Sequence, residues 1–98
     1  AEAGNATEDT LWRLPLWGSY EDILKSELAD IANAGDSGFA GAITAALFLQ
    51  KFLPDGTQWA HFDTFAWRQS AKPGRPNGGD ALGLRAAFAM LEARYRGK

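Results

Sequence analysis

Residues Gln58–Trp67 read QWAHFDTFAW, and this stretch has the composition of a buried β-strand. Four of its ten residues are aromatic and Thr64 is β-branched, which favours a strand. A turn with Pro54 and Gly56 precedes it, and a loop rich in proline and glycine follows at residues 72–79. Because helical patterns flank this predicted strand on both sides, the chain is predicted to belong to the α/β class.

Two helices are predicted before the strand. The first covers about residues 19–27, with a weaker pattern toward Asn33, and Ser19 is its predicted N-cap. The second, Ala40–Leu53, is the strongest helical pattern in the chain, and Pro54 is expected to end it. Apolar residues cover most of its circumference, so it is expected to be buried on more than one side.

One helix is predicted after the strand, and one extended segment near the N-terminus. Asp80 is the predicted N-cap of the closing helix, Ala81–Arg96. The expected inner stripe of this helix has spacings of four, three and four residues and consists of Leu84, Phe88, Leu91 and Tyr95. The segment Leu11–Trp17 is apolar, but Pro15 lacks an amide donor, so an extended segment or a sheet edge is expected there.

Size and composition indicate one globular domain at most. The 98 residues are 46% hydrophobic and 22% charged, which is too apolar for a disordered tail. The net charge is −2 with scattered lysines and arginines, which argues against nucleic acid as a partner. There is no cysteine, no apolar run of roughly 20 residues and no visible signal peptide, so neither a disulfide nor a membrane partner is expected. The first ten residues show no periodic pattern, and the chain opens at Ala1 as though entered partway through a longer protein.

The predicted strands are too few to close a sheet. A lone strand cannot satisfy its own backbone groups, and even a two-stranded hairpin is marginal. Three arrangements remain open on composition alone: a helical domain with an incidental strand, an intertwined oligomer, or a piece of a larger sheet.

His61 and Asp63 form the most chemically suggestive pair in the predicted strand. Residues i and i+2 of a strand share a face, so the imidazole and carboxylate could bind one metal or act as a base and its orienting group. A metal site needs three or four protein ligands, and the chain has no second histidine. A partly buried histidine and an aspartate bonded to loop backbone is the more common situation.

Other polar groups have equally ordinary explanations. Asp30 and Asn33 are more often a solvated helix end than a ligand pair. Residues 35–38 could cradle an anion on free amides but lack the spacing and lysine of a phosphate loop. Lys72 and Arg75 could reach an acidic group, although a solvated loop is the commoner case. The four tryptophans could line a groove, but core packing is expected for at least two, and no serine-protease-type signature is present.

The order of motifs along the chain closely resembles the C-terminal end of the leucyl (cytosol) aminopeptidase family. These enzymes are two-metal exopeptidases that remove N-terminal residues from peptides. The resemblance covers nearly the whole chain and is carried by Leu11–Leu16, Ala29–Asn33, Gly41–Leu49, Trp59–Asp63 and Gly74–Pro76.

This resemblance implies that residues 1–98 are one segment of an α/β/α catalytic domain, whose mixed sheet supplies the missing strands. It also implies a cytoplasmic homohexamer that uses two divalent metals, manganese or zinc, with magnesium as an alternative. The family's metal ligands and catalytic residues lie upstream, and its Asn-Thr-Asp-Ala-Glu-Gly-Arg signature does not occur here. No metal ligand or catalytic residue is therefore expected in this segment, which is predicted to be inactive alone.

The resemblance assigns a wall of the substrate pocket to Thr64, Phe65 and Ala66. The family follows the aspartate that matches Asp63 with Ile-Ala-Gly, and that aspartate is not a metal ligand. Thr64 matches the isoleucine, while Phe65 and Ala66 match the next two positions if no gap is placed. A phenylalanine at the alanine position would shrink or reshape the pocket for the first side chain of the substrate.

Two other functions remain open. The chain could be a stand-alone, non-catalytic interaction module that uses an exposed strand edge or an aromatic patch. It could also be an independent metalloenzyme built on His61 and Asp63. On the aminopeptidase interpretation, the expected partners are peptide substrates, the rest of the catalytic domain and further copies of the chain.

Overall fold

A computed structural model describes residues 1–32 and 38–97, which fall into two compact units. The first unit combines Ala1–Arg13 with Phe62–Lys98, and the second is Leu14–His61. The elements within the described residues are α1 (Glu2–Ala6), a 3-10 helix (Gly18–Leu24), α2 (Gly41–Gln50), β1 (Trp67–Arg68), β2 (Gly78–Gly79) and α3 (Leu84–Tyr95). This is a small α/β arrangement, as predicted, and none of these helices is both long and apolar enough to cross a membrane.

The second unit is built from α2 packed against the 3-10 helix. Its most deeply buried side chains are Leu24 on the 3-10 helix and Ala46 and Leu47 on α2. The predicted second helix is confirmed, although α2 ends at Gln50 and a turn precedes Pro54. Leu47 is the most buried of these three side chains, at 1% exposed.

The predicted first helix forms a 3-10 helix, not an α-helix. Its hydrogen bonds include Tyr20 N to Trp17 O at 3.0 Å, an i to i−3 spacing. Lys25 follows with extended backbone angles, so the segment closes after seven residues. Ser19 was wrong as the N-cap, because Trp17 occupies that position and Ser19 lies inside the helix. The 3-10 form occurs mainly in short segments such as this one, because its hydrogen-bond geometry is poorer than that of an α-helix.

The first unit contains a small hairpin at residues 67–79. In its antiparallel sheet, Trp67 pairs with Gly79 and Arg68 with Gly78. Its tip is a tight turn in which the amides of Lys72 and Arg75 each donate to the other residue's carbonyl at 2.8 Å. Pro73 and Gly74 occupy the centre of the turn, and Gly74 has a φ of 71°, which suits glycine at this position.

The predicted buried strand at residues 58–67 was wrong in this chain. Only Trp67 lies in a strand, residues 58–66 have no regular secondary structure, and Phe65 and Trp67 are 71% and 52% exposed. The expectation that at least two tryptophans lie in the core was also wrong, because three are exposed and Trp59 is half-buried. The physical reason is that a strand requires a hydrogen-bonded neighbour, and β1 pairs only with the two residues of β2.

Helix α3 begins and packs differently from the prediction. Gly83 is its N-cap residue, so Asp80 was wrong as the cap. The predicted inner stripe was also wrong: its four side chains are 48–65% exposed, whereas Ala86 is 2% exposed. Helix α1 packs against α3, and the small side chain of Ala86 allows this close approach. The N-terminal segment, which showed no periodic pattern, therefore forms a helix because α3 offers it a surface.

Candidate functional site

The predicted pocket-wall residues Thr64, Phe65 and Ala66 lie directly before β1. All three are exposed, and Phe65 is 71% exposed. Ala66 has a φ of 52°, a left-handed conformation that is strained for a residue with a Cβ atom. These three residues therefore present an aromatic side chain to the surroundings on a backbone that is held in an unusual conformation.

Two hydrogen bonds hold this wall segment. The carbonyl of Ala66 accepts from the backbone N–H of Asp80 at 3.0 Å, which joins the segment to the end of β2. The Oγ1 of Thr64 accepts from the N–H of Ala66 at 3.3 Å. The position of the wall therefore depends on the base of the hairpin.

An ion pair between Arg68 and Asp80, which we call the hairpin clamp, braces that base. Asp80 Oδ2 accepts from Arg68 Nε at 3.0 Å and from Arg68 Nη2 at 2.6 Å. Arg75 Nη1 lies 3.7 Å from the other carboxylate oxygen. The Arg68 and Asp80 side chains are only 19% and 15% exposed, so this pair is less screened than a surface ion pair. A solvated loop was the favoured interpretation for Arg75, but its side chain reaches an acidic group, and that group is Asp80.

Asp9 is a buried carboxylate whose structural role the sequence did not reveal. Its Oδ1 accepts from the N–H of Gly83 at 2.9 Å, and its Oδ2 accepts from the N–H of Ala86 at 3.1 Å. These hydrogen bonds, first that from Gly83 and then that from Ala86, hold the pKa of Asp9 below its ordinary value. Asp9 therefore caps the start of α3 from 74 residues away, and both its oxygens serve this structural role.

Two glycines are related to the Asp9 cap, and both signals are indirect. Gly83 carries no side chain that could cap α3, so the free amides at the start of the helix needed an acceptor from elsewhere. Gly4 makes the approach possible, because a Cβ atom there would lie 2.6 Å from the carbonyl oxygen of Asp9. Neither signal identifies the acceptor without the fold.

The predicted metal pair gains no further ligand in the structure. Within residues 1–32 and 38–97, no group of three or more histidine, cysteine, aspartate or glutamate side chains is arranged to hold a metal ion. His61 and Asp63 are both exposed, so the expectation of a partly buried histidine was wrong.

The remaining candidate sites lie outside the described residues or show no arrangement that indicates a binding site. Asn33 and residues 35–37 of the glycine-containing loop lie outside the described residues, and Asp30 is exposed. In the second unit, the salt bridge between Lys51 and Glu21, at 2.6 Å, lies beside a depression of ≈ 340 Å³. This depression is lined by Glu21, Gln50, Lys51, Leu53, Pro54, Asp55, Gly56, Thr57 and Trp59. Only one tryptophan contributes to it, which does not support an aromatic groove there.

Comparisons with known proteins identify what the chain is similar to. The model of the cytosol aminopeptidase family, catalytic domain, matches residues 1–88. A probable cytosol aminopeptidase from Geobacter sulfurreducens is 45% identical over 96 residues, which are 96% of this chain and 19% of that protein. One from Caulobacter vibrioides is 44% identical over 98 residues, 97% of this chain and 20% of that protein.

A solved structure gives the same result. The 1.8 Å crystal structure of the cytosol aminopeptidase from Coxiella burnetii matches with a TM-score of 0.91 and 56% sequence identity. The match covers 97% of this chain and 21% of that chain. The chain thus spans about a fifth of the length of the relatives that it matches.

Proposed function

The chain belongs to the cytosol aminopeptidase family, and from that premise we propose that it is the C-terminal part of a metal-dependent leucyl-type aminopeptidase. The complete enzyme releases N-terminal amino acids from peptides. Its relatives are about five times as long as this chain, which leaves room in the complete polypeptide for the metal ligands and the catalytic residues. The segment supplies scaffold and one wall of the substrate pocket.

The exposed apolar face of α3 carries this proposal. Its members recur at helical spacing and are Leu84, Phe88, Leu91 and Tyr95, with exposed fractions of 63%, 65%, 48% and 54%. A continuous stripe of this kind normally faces a core, because leaving it in water forfeits the hydrophobic stabilisation of folding. The rest of the catalytic domain is the natural cover for this face.

The described residues do not fit a two-metal centre. They contain no group of three or more suitable side chains, and the buried carboxylate of Asp9 is already engaged by two backbone amides. In this proposal the two divalent ions, manganese or zinc, bind to other parts of the complete enzyme. In this proposal no residue of this segment takes part in a catalytic step.

The backbone of Ala66 supports its placement in the pocket wall. The ungapped match puts Ala66 where the family has glycine, and a φ of 52° is a conformation that glycine adopts without strain. The same match puts the exposed ring of Phe65 where the family has alanine. In the complete enzyme this ring narrows the pocket, so the preference among substrates shifts toward smaller N-terminal side chains.

Assembly and location follow from the same premise. The relatives are named cytosol aminopeptidases, which supports a cytoplasmic enzyme. The proposed assembly is a homohexamer whose partners are peptide substrates and further copies of the complete chain.

The proposal is tested by assaying the 98-residue chain beside the complete polypeptide with manganese and leucine-p-nitroanilide. The expected result is turnover by the complete polypeptide and none by the chain alone. Turnover by the chain alone that is lost in both His61→Ala and Asp63→Ala would instead establish an independent metalloenzyme. If the gene encodes only this chain, and the chain is inactive, the stand-alone interaction module is the better account.

A further inference from the structure

We propose that Asn77 is a deamidation site whose rate is set by the hairpin clamp, the Arg68–Asp80 ion pair. The side chain of Asn77 is exposed, and the next residue is Gly78. Glycine has no side chain to hinder attack by its own backbone nitrogen. This inference concerns the hairpin itself and does not depend on the proposed enzymatic function.

The chemistry needs only water. The backbone nitrogen of Gly78 attacks the side-chain amide carbon of Asn77, a C–N bond forms, and the amide nitrogen leaves as ammonia. The five-membered succinimide that results is opened by water at one of its two carbonyl carbons. One opening gives aspartate, and the other gives isoaspartate, in which the backbone runs through the former side chain. One water is consumed, one ammonia is released, and nothing is oxidised or reduced.

The hairpin holds the attacking nitrogen away from this reaction. Asp80 N donates to Ala66 O, so those two opposed residues form a hydrogen-bonded pair. Hydrogen-bonded and non-hydrogen-bonded pairs alternate along an antiparallel ladder. Arg68 and Gly78 are therefore the next hydrogen-bonded pair, and the amide of Gly78 is engaged while the ladder is closed.

The clamp determines how often the ladder opens. Each strand has only two residues, and an isolated two-stranded hairpin is marginally stable in water. The contacts of Arg68 with Asp80 at 3.0 and 2.6 Å join β1 to the residue that follows β2, so they hold the two strands together, and they are mostly shielded from solvent. Loss of these contacts should free the Gly78 nitrogen more often, so the rate of ring closure should rise.

The products would alter the hairpin that holds the pocket-wall segment. Either product adds a negative charge three residues from Asp80 in the sequence. Isoaspartate also lengthens the backbone by one atom beside β2, so the pairing of Trp67 with Gly79 cannot be kept in register. The hydrogen bond from Asp80 to Ala66 lies next in the same ladder and should weaken with it.

The first experiment follows deamidation in the 98-residue chain by peptide mapping and mass spectrometry during incubation in mildly alkaline buffer. A synthetic peptide of residues 72–82 gives the unprotected rate at Asn77. Asn5 is the internal control, because it is also exposed but lies in α1 and precedes Ala6, whose methyl group hinders attack. We expect Asn77 to convert to both acidic products before Asn5 does, and more slowly than in the peptide. Conversion at Asn5 first, or at Asn77 as fast as in the peptide, overturns the proposal.

Variants then isolate the clamp. Arg68→Gln removes it and should accelerate conversion at Asn77 several-fold. The matched control Lys51→Gln breaks the salt bridge with Glu21 in the other unit and should leave the rate unchanged. Arg68→Lys keeps the charge but loses the forked contact, so its rate should fall between those of Arg68→Gln and the parent chain. Arg68→Gln is uninformative if it loses the helical circular dichroism signal. In that case the deamidation rate at Asn77 is compared between Arg68→Lys and Lys51→Gln. Equal rates in these two variants contradict the role of the clamp.

Discussion

In the first unit, single side chains supply hydrogen-bond partners to backbone groups that lie far from them in the sequence. The carboxylate of Asp9 accepts hydrogen bonds from Gly83 and Ala86 and so supplies the acceptor that the start of α3 lacks. Arg85 reinforces the same contact, because its guanidinium donates to the carbonyls of Thr7 and Glu8 at 3.2 and 3.0 Å. No local pattern could predict these contacts, since each depends on α1 and α3 meeting in space.

Removing the Asp9 carboxylate should destabilise the first unit in a pH-dependent way. Its pKa is lowered in the folded chain, so its stabilising effect is present above its ordinary value of 3.8 and is lost as the pH falls through the folded value. Asp9→Asn should therefore lower the thermal unfolding midpoint at neutral pH and have less effect in strong acid. Circular dichroism melts over a pH series measure this, with Asp63→Asn at an exposed position as the control. Equal effects of Asp9→Asn at both ends of the series would contradict the cap.

The strained conformation of Ala66 predicts a substitution that stabilises the chain, in contrast to Asp9→Asn. The left-handed region costs a residue with a Cβ atom about 1–2 kcal/mol. Glycine avoids this cost, but its greater conformational entropy in the unfolded chain offsets part of the gain in stability. Ala66→Gly should thus raise the free energy of unfolding by about 0.5–1 kcal/mol. Ala60→Gly is the control, because Ala60 is exposed and does not have a positive φ, so its replacement should be slightly destabilising. A loss of stability in Ala66→Gly would show that the strain is absent.

Among the elements, the helices were predicted more successfully than the strands. The patterns for α2 and α3 are carried by residues three and four apart, so the sequence alone reveals them. A strand is defined by its partner, and the predicted strand at residues 58–67 is bonded to a neighbour only at its end, through the Ala66–Asp80 hydrogen bond and the pairing of Trp67 with Gly79. The face of α3 that packs was also mispredicted, because the close approach of α1 selects the small Ala86 and not the large apolar stripe.

The two faces of α3 should respond differently to the same substitution. Ala86→Glu places a charged side chain in a site that is 2% exposed and should cost at least about 1–3 kcal/mol of stability in the 98-residue chain. Phe88→Glu changes a side chain that is 65% exposed and should alter the stability of this chain by less than about 0.5 kcal/mol. Chemical denaturation of both variants measures the difference.

In the complete polypeptide, Phe88→Glu should no longer be a mild substitution compared with Ala86→Glu. The proposed cover on the apolar stripe would make Phe88→Glu strongly destabilising there, and the yield of soluble polypeptide would report it. An unchanged yield and melting point for Phe88→Glu in the complete polypeptide would argue that nothing packs on this face.

For the whole molecule, the order of the motifs along the chain was the feature that predicted the family. This order indicated the cytosol aminopeptidase family, and the family match over residues 1–88 confirms it. The α/β class was also confirmed, while the pocket-wall assignment of Thr64, Phe65 and Ala66 stays a prediction. Residue chemistry alone could not locate a catalytic centre, because the described residues hold no adequate group of ligands for two cations.

The most direct test of the central claim is the length and sequence of the native polypeptide that contains this chain, obtained by purifying it from its cell and analysing it by mass spectrometry. The account predicts a polypeptide about five times as long, since the aligned residues make up 19% of a relative, with a lysine- and carboxylate-bearing segment ahead of Ala1. Recovery of a native protein that consists of these 98 residues alone would contradict it.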